Sequence, residues 1–460
     1  MRTAALRTVK AIVEAGLCHR CGACAAICPR GVLAPGDDAY PSWTGREEAC
    51  TDCGLCVRVC TGTGFSFPEQ SRRILGGETG VGDGHGRFLA AFLGHARDPE
   101  VRGGGTSGGV ATALALHAID TGKARGAFVV VPDETRGWKP KAAIARTRGE
   151  AAAGASSKYP ACAALHLFRG IEKNGPYVFT GLPCHVQAVR RLAELNPAVG
   201  ESLALVTGLF CHSCLDHRAL RDLLEIYRID EAAVERVEYR GGKLPGYIRA
   251  RMKDGALRYL PYPHLGPDRY RPNAKECLTL FFKLYSPPRC RLCIDATSEF
   301  ADVVVGDPWV KGWEAEAKLR GGYSFILART ERGLGALEKA RADGALVLEP
   351  FPAERVASSH QPMVRMKRLR ACRGIERRRR RGLRFPDYGY AAVPAATATL
   401  RESLRAATYL AADRPRLRRF LFRILLSRPG RLLVGAIFFR RRVVQTLVEK
   451  TKRRIRPAGA

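Results

Sequence analysis

Apolar positions follow two different periods along this chain, and the stretches where neither period holds divide it into four zones. Between about residues 87 and 386, short β-branched runs trade places with segments of helical spacing. Residues 127–131 read as a buried strand, with a helix over 110–121 ahead of it and Pro132 closing it. A second strand over 177–180 turns at Gly181-Leu182-Pro183-Cys184 into a helix over 185–195. Two more strands are expected at 203–210 and 301–305, the latter stopped by Gly306-Asp307-Pro308. Such alternation predicts an α/β core. Residues 18–67 lack this periodicity, so something besides a hydrophobic core must hold them together. Residues 76–86 contain six glycines and predict a flexible connector. Beyond Pro386 an Ala-rich stretch leads into a tail where Leu417, Phe420, Leu421, Ile424 and Leu425 recur at helical intervals. Pro429-Gly430 interrupts that pattern, and an apolar run over 432–439 follows, ahead of Arg440-Arg441-Arg442.

Composition sharpens this division. With 460 residues, 46% of them hydrophobic, the chain has material for two to three packed domains. The tail's apolar run is far shorter than the roughly 20 residues that span a bilayer. The opening residues lack the apolar core and cleavage pattern of a signal peptide, so a cytoplasmic chain is expected. Reduced thiols are the rule there, and sixteen cysteines then point to metal rather than disulfides. Net charge is +32, of which residues 365–384 contribute +10 and residues 414–456 contribute +14. Basicity is a property of the C-terminal part, not of the whole fold.

The cysteines carry the sharpest signal. Cys18, Cys21, Cys24 and Cys28 are spaced C-x2-C-x2-C-x3-C and followed by Pro29; Cys50, Cys53, Cys56 and Cys60 repeat the spacing, with Thr61 after them. This is the arrangement of a bacterial two-cluster ferredoxin. Three thiolates two residues apart cap three iron corners from one tight loop, and the fourth reaches the other cluster. Cys18, Cys21, Cys24 and Cys60 are therefore expected on one [4Fe–4S] centre, with Cys50, Cys53, Cys56 and Cys28 on the second. Zinc, which takes ligands in two pairs, has no use for a third cysteine at this interval.

Four further features lie in the alternating zone. Gly103-Gly104-Gly105-Thr106-Ser107-Gly108-Gly109 opens the helix over 110–121. It fits G-x-G-x-x-G, but residues 95–102 are polar and charged, so no strand is expected before it and the dinucleotide fingerprint is incomplete. A glycine-rich loop at a helix N-terminus still offers amide groups to a phosphate. Ser156-Ser157-Lys158-Tyr159-Pro160 forms a polar turn, and Cys184-His185 sits where a strand enters a helix. Sequence neighbours rarely pair as nucleophile and base, so no catalytic residue is assigned. The last feature joins Cys290-x2-Cys293-x-Asp295 to 301–309 (ADVVVGDPW), where capping is the ordinary role of Asp295 and Asp307.

Taken together, these pieces resemble the coenzyme F420-reducing hydrogenase/dehydrogenase beta-subunit family. The likeness is carried by Thr106-Ser107-Gly108-Gly109-Val110-x-Thr112-Ala113-Leu114, Ser157-Lys158-Tyr159, Gly181-Leu182-Pro183-Cys184-His185, Leu209-Phe210-Cys211, Cys290-x2-Cys293-x-Asp295 and the Ala301–Trp309 run. It covers about residues 102–309 and continues more weakly to 386. The resemblance implies an α+β ferredoxin-like iron–sulfur domain (1–70), a Gly-rich linker (71–90), an α/β flavin-binding domain (91–390) and a basic helical tail (391–460). It also implies FAD or FMN, with Thr106, Ser107, Gly108, Gly109 and Thr112 as a flavin-phosphate loop and Ser157, Lys158 and Tyr159 as cofactor neighbours. Lys158 would offer charge to a phosphate or to the reduced flavin.

A third cluster is admitted at Cys290 and Cys293 with Cys211 and either Cys184 or Cys214; buried inert thiols are the alternative. The function implied is an iron–sulfur flavoprotein oxidoreductase. Its redox partner would be a ferredoxin, coenzyme F420 or a larger redox subunit, and its substrate an organic molecule such as a tetrapyrrole or sugar precursor. A non-catalytic electron-transfer subunit is the competing class. The tail suits an anionic membrane surface at the inner face of the membrane, whereas the absence of aromatic interleaving or a DNA-binding motif disfavours nucleic acid. Arg377–Arg381 lie in the part resembling the family and are expected to be structural.

Overall fold

The computed structural model describes residues 6–78, 84–171, 175–242, 244–262, 271–310, 317–390, 399–400, 408–409, 414–432 and 436. The middle of the glycine-rich connector, the Ala-rich stretch and most of the apolar run with its trailing arginines lie outside these. An eight-stranded mixed sheet organises the chain. Its strands run, edge to edge, Leu346–Pro350, Ala90–Ala96, Ser324–Ala328, Val303–Gly306, Leu203–Leu209, Tyr177–Gly181, Gly126–Pro132 and Pro140–Ala145. Four neighbours are parallel, from Val303–Gly306 through Gly126–Pro132, and the outer pairings are antiparallel. The four strands expected from β-branched runs are these four parallel ones. They are buried on both faces, so their apolar character is nearly continuous.

Period-2 alternation assigns each strand residue to a face. Val303 and Val305 join the helices Val110–Asp120 and Glu331–Ala342 in one core. Val304 points the other way, into a core shared with the helix Pro183–Leu195 and with Ala23, Ile27, Val59, Phe65 and Phe67 of the cysteine-rich segment. That segment caps one face of the sheet; the core it keeps to itself is small, Ala25, Val32 and Leu33. Phe67 packs edge-on to Phe300 at 4.9 Å and Tyr388 at 5.5 Å. The backbone N–H groups of Phe65 and Phe67 donate to the carbonyls of Asp387 and Tyr388. The chain thus returns after 380 to clamp what it began with, a long-range pairing without a periodic signature.

Local signals place the remaining helices. Ser66 caps Phe67–Leu75, and Gly76 ends it in the left-handed region at φ 67°. Capping boxes Thr147/Glu150 and Asn273/Glu276 open Arg148–Ala153 and Ala274–Tyr285. A second core joins a three-stranded antiparallel sheet (Val234–Gly241, Tyr247–Met252, Leu257–Leu260) to helices Arg218–Ile226, Ala274–Tyr285 and the tail helix Pro415–Leu426. The tail's break falls at Ser427, and Pro429-Gly430 lie inside the helical turn that follows rather than between helices. Among the Arg377–Arg381 residues, Arg378 is structural: its guanidinium donates to the carbonyls of Arg384 and Ala15. Arg379 and Arg380 are exposed and pair with Glu376.

One expectation is corrected here. A strand does precede the glycine-rich loop, at Ala90–Ala96, and His95 belongs to it. Its middle is buried between two antiparallel partners, so the polar residues at its end did not disqualify it. The helix Pro99–Gly104 then separates strand from loop, so the direct strand-to-loop turn of the dinucleotide fingerprint is still missing.

Candidate redox site

None of the sixteen cysteines is in a disulfide. Gly22 and Gly54, both left-handed at φ 87° and 71°, start the short helices Ala23–Ile27 and Leu55–Arg58 and turn the two loops tightly. A Cβ at Gly22 would meet the Ala163 carbonyl at 2.7 Å, so the first loop also lies hard against the main body. Cys18, Cys21, Cys24 and Cys60 surround a small cavity of about 30 Å³. Burial pushes the Cys18 and Cys21 thiols up to about 12, and the neighbouring Cys60 thiol adds to both. Burial also raises Cys56, where the adjoining thiols are Cys28 and Cys53. The fourth cysteine of each run thus lies beside the opposite triplet. Cys50 and Cys53 are exposed, whereas Cys18, Cys21, Cys24 and Cys60 are all half-buried, so the second set lies nearer the surface. Among the described residues, no three Cys, His, Asp or Glu side chains close around a single ion; a cubane spreads its thiolates over separate corners.

A second gathering of thiols lies behind the inner set. Cys184 is raised by burial first, then by Cys290, Cys211 and Cys293, and Cys21 also bears on it. The Cys214 thiol hydrogen-bonds Cys211 and Cys290, lowering both and raising itself. Five cysteines from three separate segments therefore meet, with buried cations around them. The Lys367 amine donates to the Cys211 carbonyl at 2.7 Å, and Arg370 donates to the carbonyls of His212 and Cys290 at 3.0 and 3.2 Å. Arg289 donates to the Gly62 carbonyl at 2.8 Å and the Tyr388 hydroxyl at 2.8 Å. Buried cations without a carboxylate on them are costly unless something anionic lies close. Cys162, Cys277 and Cys372 stand apart from this set.

Beyond it opens a cavity of about 1430 Å³, above the usual range of roughly 300–1,000 Å³ for ligand pockets. Thr106, Ser107, Gly109, Thr112, Ser157, Lys158 and Tyr159 all line it. Two of these motifs are 51 residues apart but touch: the Ser157 N–H donates to Thr106 Oγ1 at 2.9 Å, and the two hydroxyls are 2.9 Å apart. The Lys158 amine donates to the carbonyls of Gly154, Ala155 and Ser156 at 2.9, 2.5 and 3.3 Å. Burial, with Arg236 nearby, lowers its pKa to about 8. Its charge therefore serves first to shape the loop. Gly108 is set differently: it lies behind the cavity wall, where its N–H donates to Ser324 Oγ at 3.0 Å.

Residues 91–169 match the amino-terminal part of the family described as coenzyme F420 hydrogenase/dehydrogenase, beta subunit, and residues 175–354 match its carboxy-terminal part. The chain belongs to this family. Residues 17–63 match a 4Fe-4S dicluster domain, so the amino-terminal segment is an iron–sulfur module joined to the family's two parts. A coenzyme F420-dependent sulfite reductase of Methanocaldococcus jannaschii is 27% identical over 346 residues, covering 70% of this chain and 46% of that protein. This chain thus spans about half the length of that relative. One of the subunits of the F(420)H(2) dehydrogenase of Methanosarcina mazei is 22% identical over 371 residues, 78% of this chain and 91% of the relative. A coenzyme F420 hydrogenase subunit beta of Methanosarcina barkeri is 26% identical over 280 residues, 58% and 83% respectively.

In the large cavity of this family member, and in the buried loop beside it, are residues to which sequence reading gave no part in the site. His360, at φ 50° and 4% exposed, stacks on Phe210 with centroids 4.3 Å apart. Burial lowers its pKa to about 3, so it is a neutral imidazole, and neither ring nitrogen has a well-formed hydrogen bond among the described residues. Asp307 accepts from Arg240 at 2.6 Å and from the Trp309 indole at 2.9 Å. Asp295 accepts from Gln187 at 3.0 Å and from backbone N–H groups of Thr297 and Glu299. Asp307 thus does ion-pair work at the cavity wall instead of capping, and Asp295 ties a buried loop to the helix Pro183–Leu195. Only the Gly306-Asp307-x-Trp309 spacing offered any advance sign of this corner.

The position of Gly108 yields a prediction. A Cβ there would meet the Gly94 carbonyl at 2.6 Å and the Ser324 nitrogen at 2.8 Å, both backbone. Gly108→Ala will therefore displace the loop and cost about 1–3 kcal/mol, as overpacking does, whereas Gly103→Ala, with open space around it, will cost under about 1 kcal/mol. Urea unfolding followed by circular dichroism checks the contrast; equal midpoints would contradict it.

Proposed function

We propose that this chain is an iron–sulfur flavoprotein oxidoreductase that moves electrons between the dicluster segment and a flavin held in the large cavity. The observation that carries the reading is the succession of thiols: exposed Cys50 and Cys53, the half-buried set Cys18, Cys21, Cys24 and Cys60, then Cys184 with Cys211, Cys290 and Cys293 beside the cavity. Cys18, Cys21, Cys24 and Cys60 would hold the inner cluster, and Cys28, Cys50, Cys53 and Cys56 the outer one. Cys184, Cys211, Cys290 and Cys293 would hold a third, its negative charge balanced by Lys367, Arg289 and Arg370.

In the cavity, the backbone of Gly105–Gly109 at the start of an 11-residue helix suits a flavin phosphate. Thr106, bridged to Ser157, and Ser107, whose hydroxyl is 3.1 Å from that of Ser324, fix that loop in place. FAD or FMN supplies the exchange between one-electron and two-electron chemistry. Thr112, Tyr159 and Gly109 would line its binding face, while Lys158 holds the neighbouring turn. Arg240, Asp307, Trp309 and His360 are left to meet a second substrate: a ferredoxin, coenzyme F420, or an organic molecule such as a tetrapyrrole or sugar precursor.

A larger redox complex is the natural setting for such a chain, with a ferredoxin or another subunit docking at the exposed cysteines. In the alternative reading the chain is a non-catalytic electron-transfer subunit. Anaerobically reconstituted protein is expected to release flavin on denaturation and to hold about twelve irons if all three sets are filled, about eight if only the dicluster is. Iron-replete protein that takes up no FAD or FMN would overturn the flavoprotein reading. Flavin with no steady-state turnover of any two-electron acceptor would favour the subunit. No helix among the described residues is long and apolar enough to cross a membrane; the tail would meet an anionic membrane from the surface.

A further inference from the structure

The tail helix Pro415–Leu426 has two unlike apolar faces, and the protein uses only one. Phe422 and Leu426 are buried, with the Phe422 ring 5.1 Å from Phe281 and 4.9 Å from Tyr285. Tyr262 and Tyr227 donate their hydroxyls to the carbonyls of Leu425 and Leu426 at 2.5 and 3.2 Å. Arg419 pairs with Glu225, and the Arg418 guanidinium lies 4.8 Å from the Tyr285 ring centroid. That side is locked to the body. The other side presents Leu417, Phe420 and Ile424 to solvent, Phe420 at 60% exposure. At i, i+3 and i+7 they form one stripe, flanked by exposed Arg416 and Arg423. The sequence pattern had grouped Leu421 and Leu425 with this stripe, but they pack against the second core.

We propose that the stripe Leu417–Phe420–Ile424, with Arg416 and Arg423, is a docking face for an anionic lipid bilayer. This rests on the membrane reading of the tail and stands apart from the redox reading, so either can fail alone. The helix holds four arginines and no acidic residue, which complements anionic headgroups. Its apolar stripe is of the kind that sinks a short way into the interface. Nucleic acid would satisfy the arginines but gain nothing from Leu417 and Ile424, which cannot stack on bases. A second copy packed face to face would set arginines against arginines. The docking face also stands near the cavity: Leu278 and Phe282 of Ala274–Tyr285 line it, while Phe281 and Tyr285 of the same helix grip the tail. Two helix layers, roughly 20 Å, then separate bilayer and cavity wall.

The test uses the full chain with its clusters reconstituted, sedimented with vesicles of phosphatidylcholine alone or with one-third phosphatidylglycerol. Binding is expected only to the anionic vesicles, weakening as salt rises. L417S/F420S/I424S, all at exposed positions, is expected to lower vesicle affinity at least tenfold with unchanged far-ultraviolet circular dichroism and cluster absorbance. R416Q/R423Q is expected to weaken it several-fold. The proposal falls if the triple variant binds like the parent, or if neutral vesicles bind equally well. It also falls if removal of residues 433–460 abolishes binding that the triple variant retains, since the anchor is then the distal basic segment. Conversion of a dimer to a monomer by the triple variant, with lipid binding intact, would assign the stripe to a second copy and also overturn it.

Discussion

Cys21→Ala protein, purified and reconstituted without oxygen, will carry about four fewer irons than the parent and will fail to pass electrons from the outer thiol set to the cavity. Cys21 lies among Cys18, Cys24 and Cys60 in the inner, half-buried set, and it is the member that bears on Cys184. A [4Fe–4S] centre on these four thiolates would lose its ligation at the step that joins surface to interior. Cys53→Ala is the contrasting case. Cys53 is exposed, so its loss will remove a similar amount of iron while leaving the interior centre reducible by a small, freely diffusing reductant. Because the inner set shares its core with the sheet, Cys21→Ser, which keeps an oxygen ligand in the same volume, guards against misreading a folding defect. Iron content, low-temperature electron paramagnetic resonance after reduction, and the rate of reduction of added flavin are the readouts. A Cys21→Ala chain with the parent's iron and its full rate would remove the inner set from the path.

What could be read from the sequence was local, and what could not was assembled across the chain. The eight dicluster cysteines declare themselves because three of each four lie within seven residues, so spacing is geometry. The parallel strands were visible because burial on both faces removes polar positions altogether. By contrast, Cys184, Cys211, Cys290 and Cys293 come from three separate segments, and only the last two keep a legible interval. Ser324 reaches Gly108 across 216 residues, and no spacing rule spans that distance. The strand Ala90–Ala96 was hidden because polar residues gather at its end, and the clamp of residues 387–388 onto residues 64–67 follows no period. The tail shows a subtler failure. Its apolar residues were on helical spacing, but they were more numerous than one face can hold. Which of them turned inward was decided by Phe281 and Tyr285, outside the helix.

Asp216→Ala is expected to destabilise the chain by about 3–5 kcal/mol at neutral pH, the usual cost of stripping a buried charge of its partner. Arg20, between Cys18 and Cys21, is 1% exposed and donates to Asp216 at 2.7 Å and to the Tyr40 hydroxyl at 2.8 Å. Asp216 also accepts from Arg218 at 2.9 Å, at the start of the helix Arg218–Ile226. The pair therefore pins the inner cysteine loop to the second core. Burial alone would raise the Asp216 carboxyl, but hydrogen bonds and charge from Arg218 and Arg20 more than reverse this and hold it well below the usual carboxylate range. A depressed folded pKa makes the contribution full above the unfolded value, about 3.9, and lost as pH falls through the folded one. The parent's stability should thus show no dependence on this group between pH 5 and 8 and decline in stronger acid, a decline that Asp216→Ala should make shallower. Urea titrations across that range measure both effects. A change under about 0.5 kcal/mol at pH 7 would mean that the loop is held by Gly22 against Ala163 and by the phenylalanine contacts alone, with the ion pair a passenger.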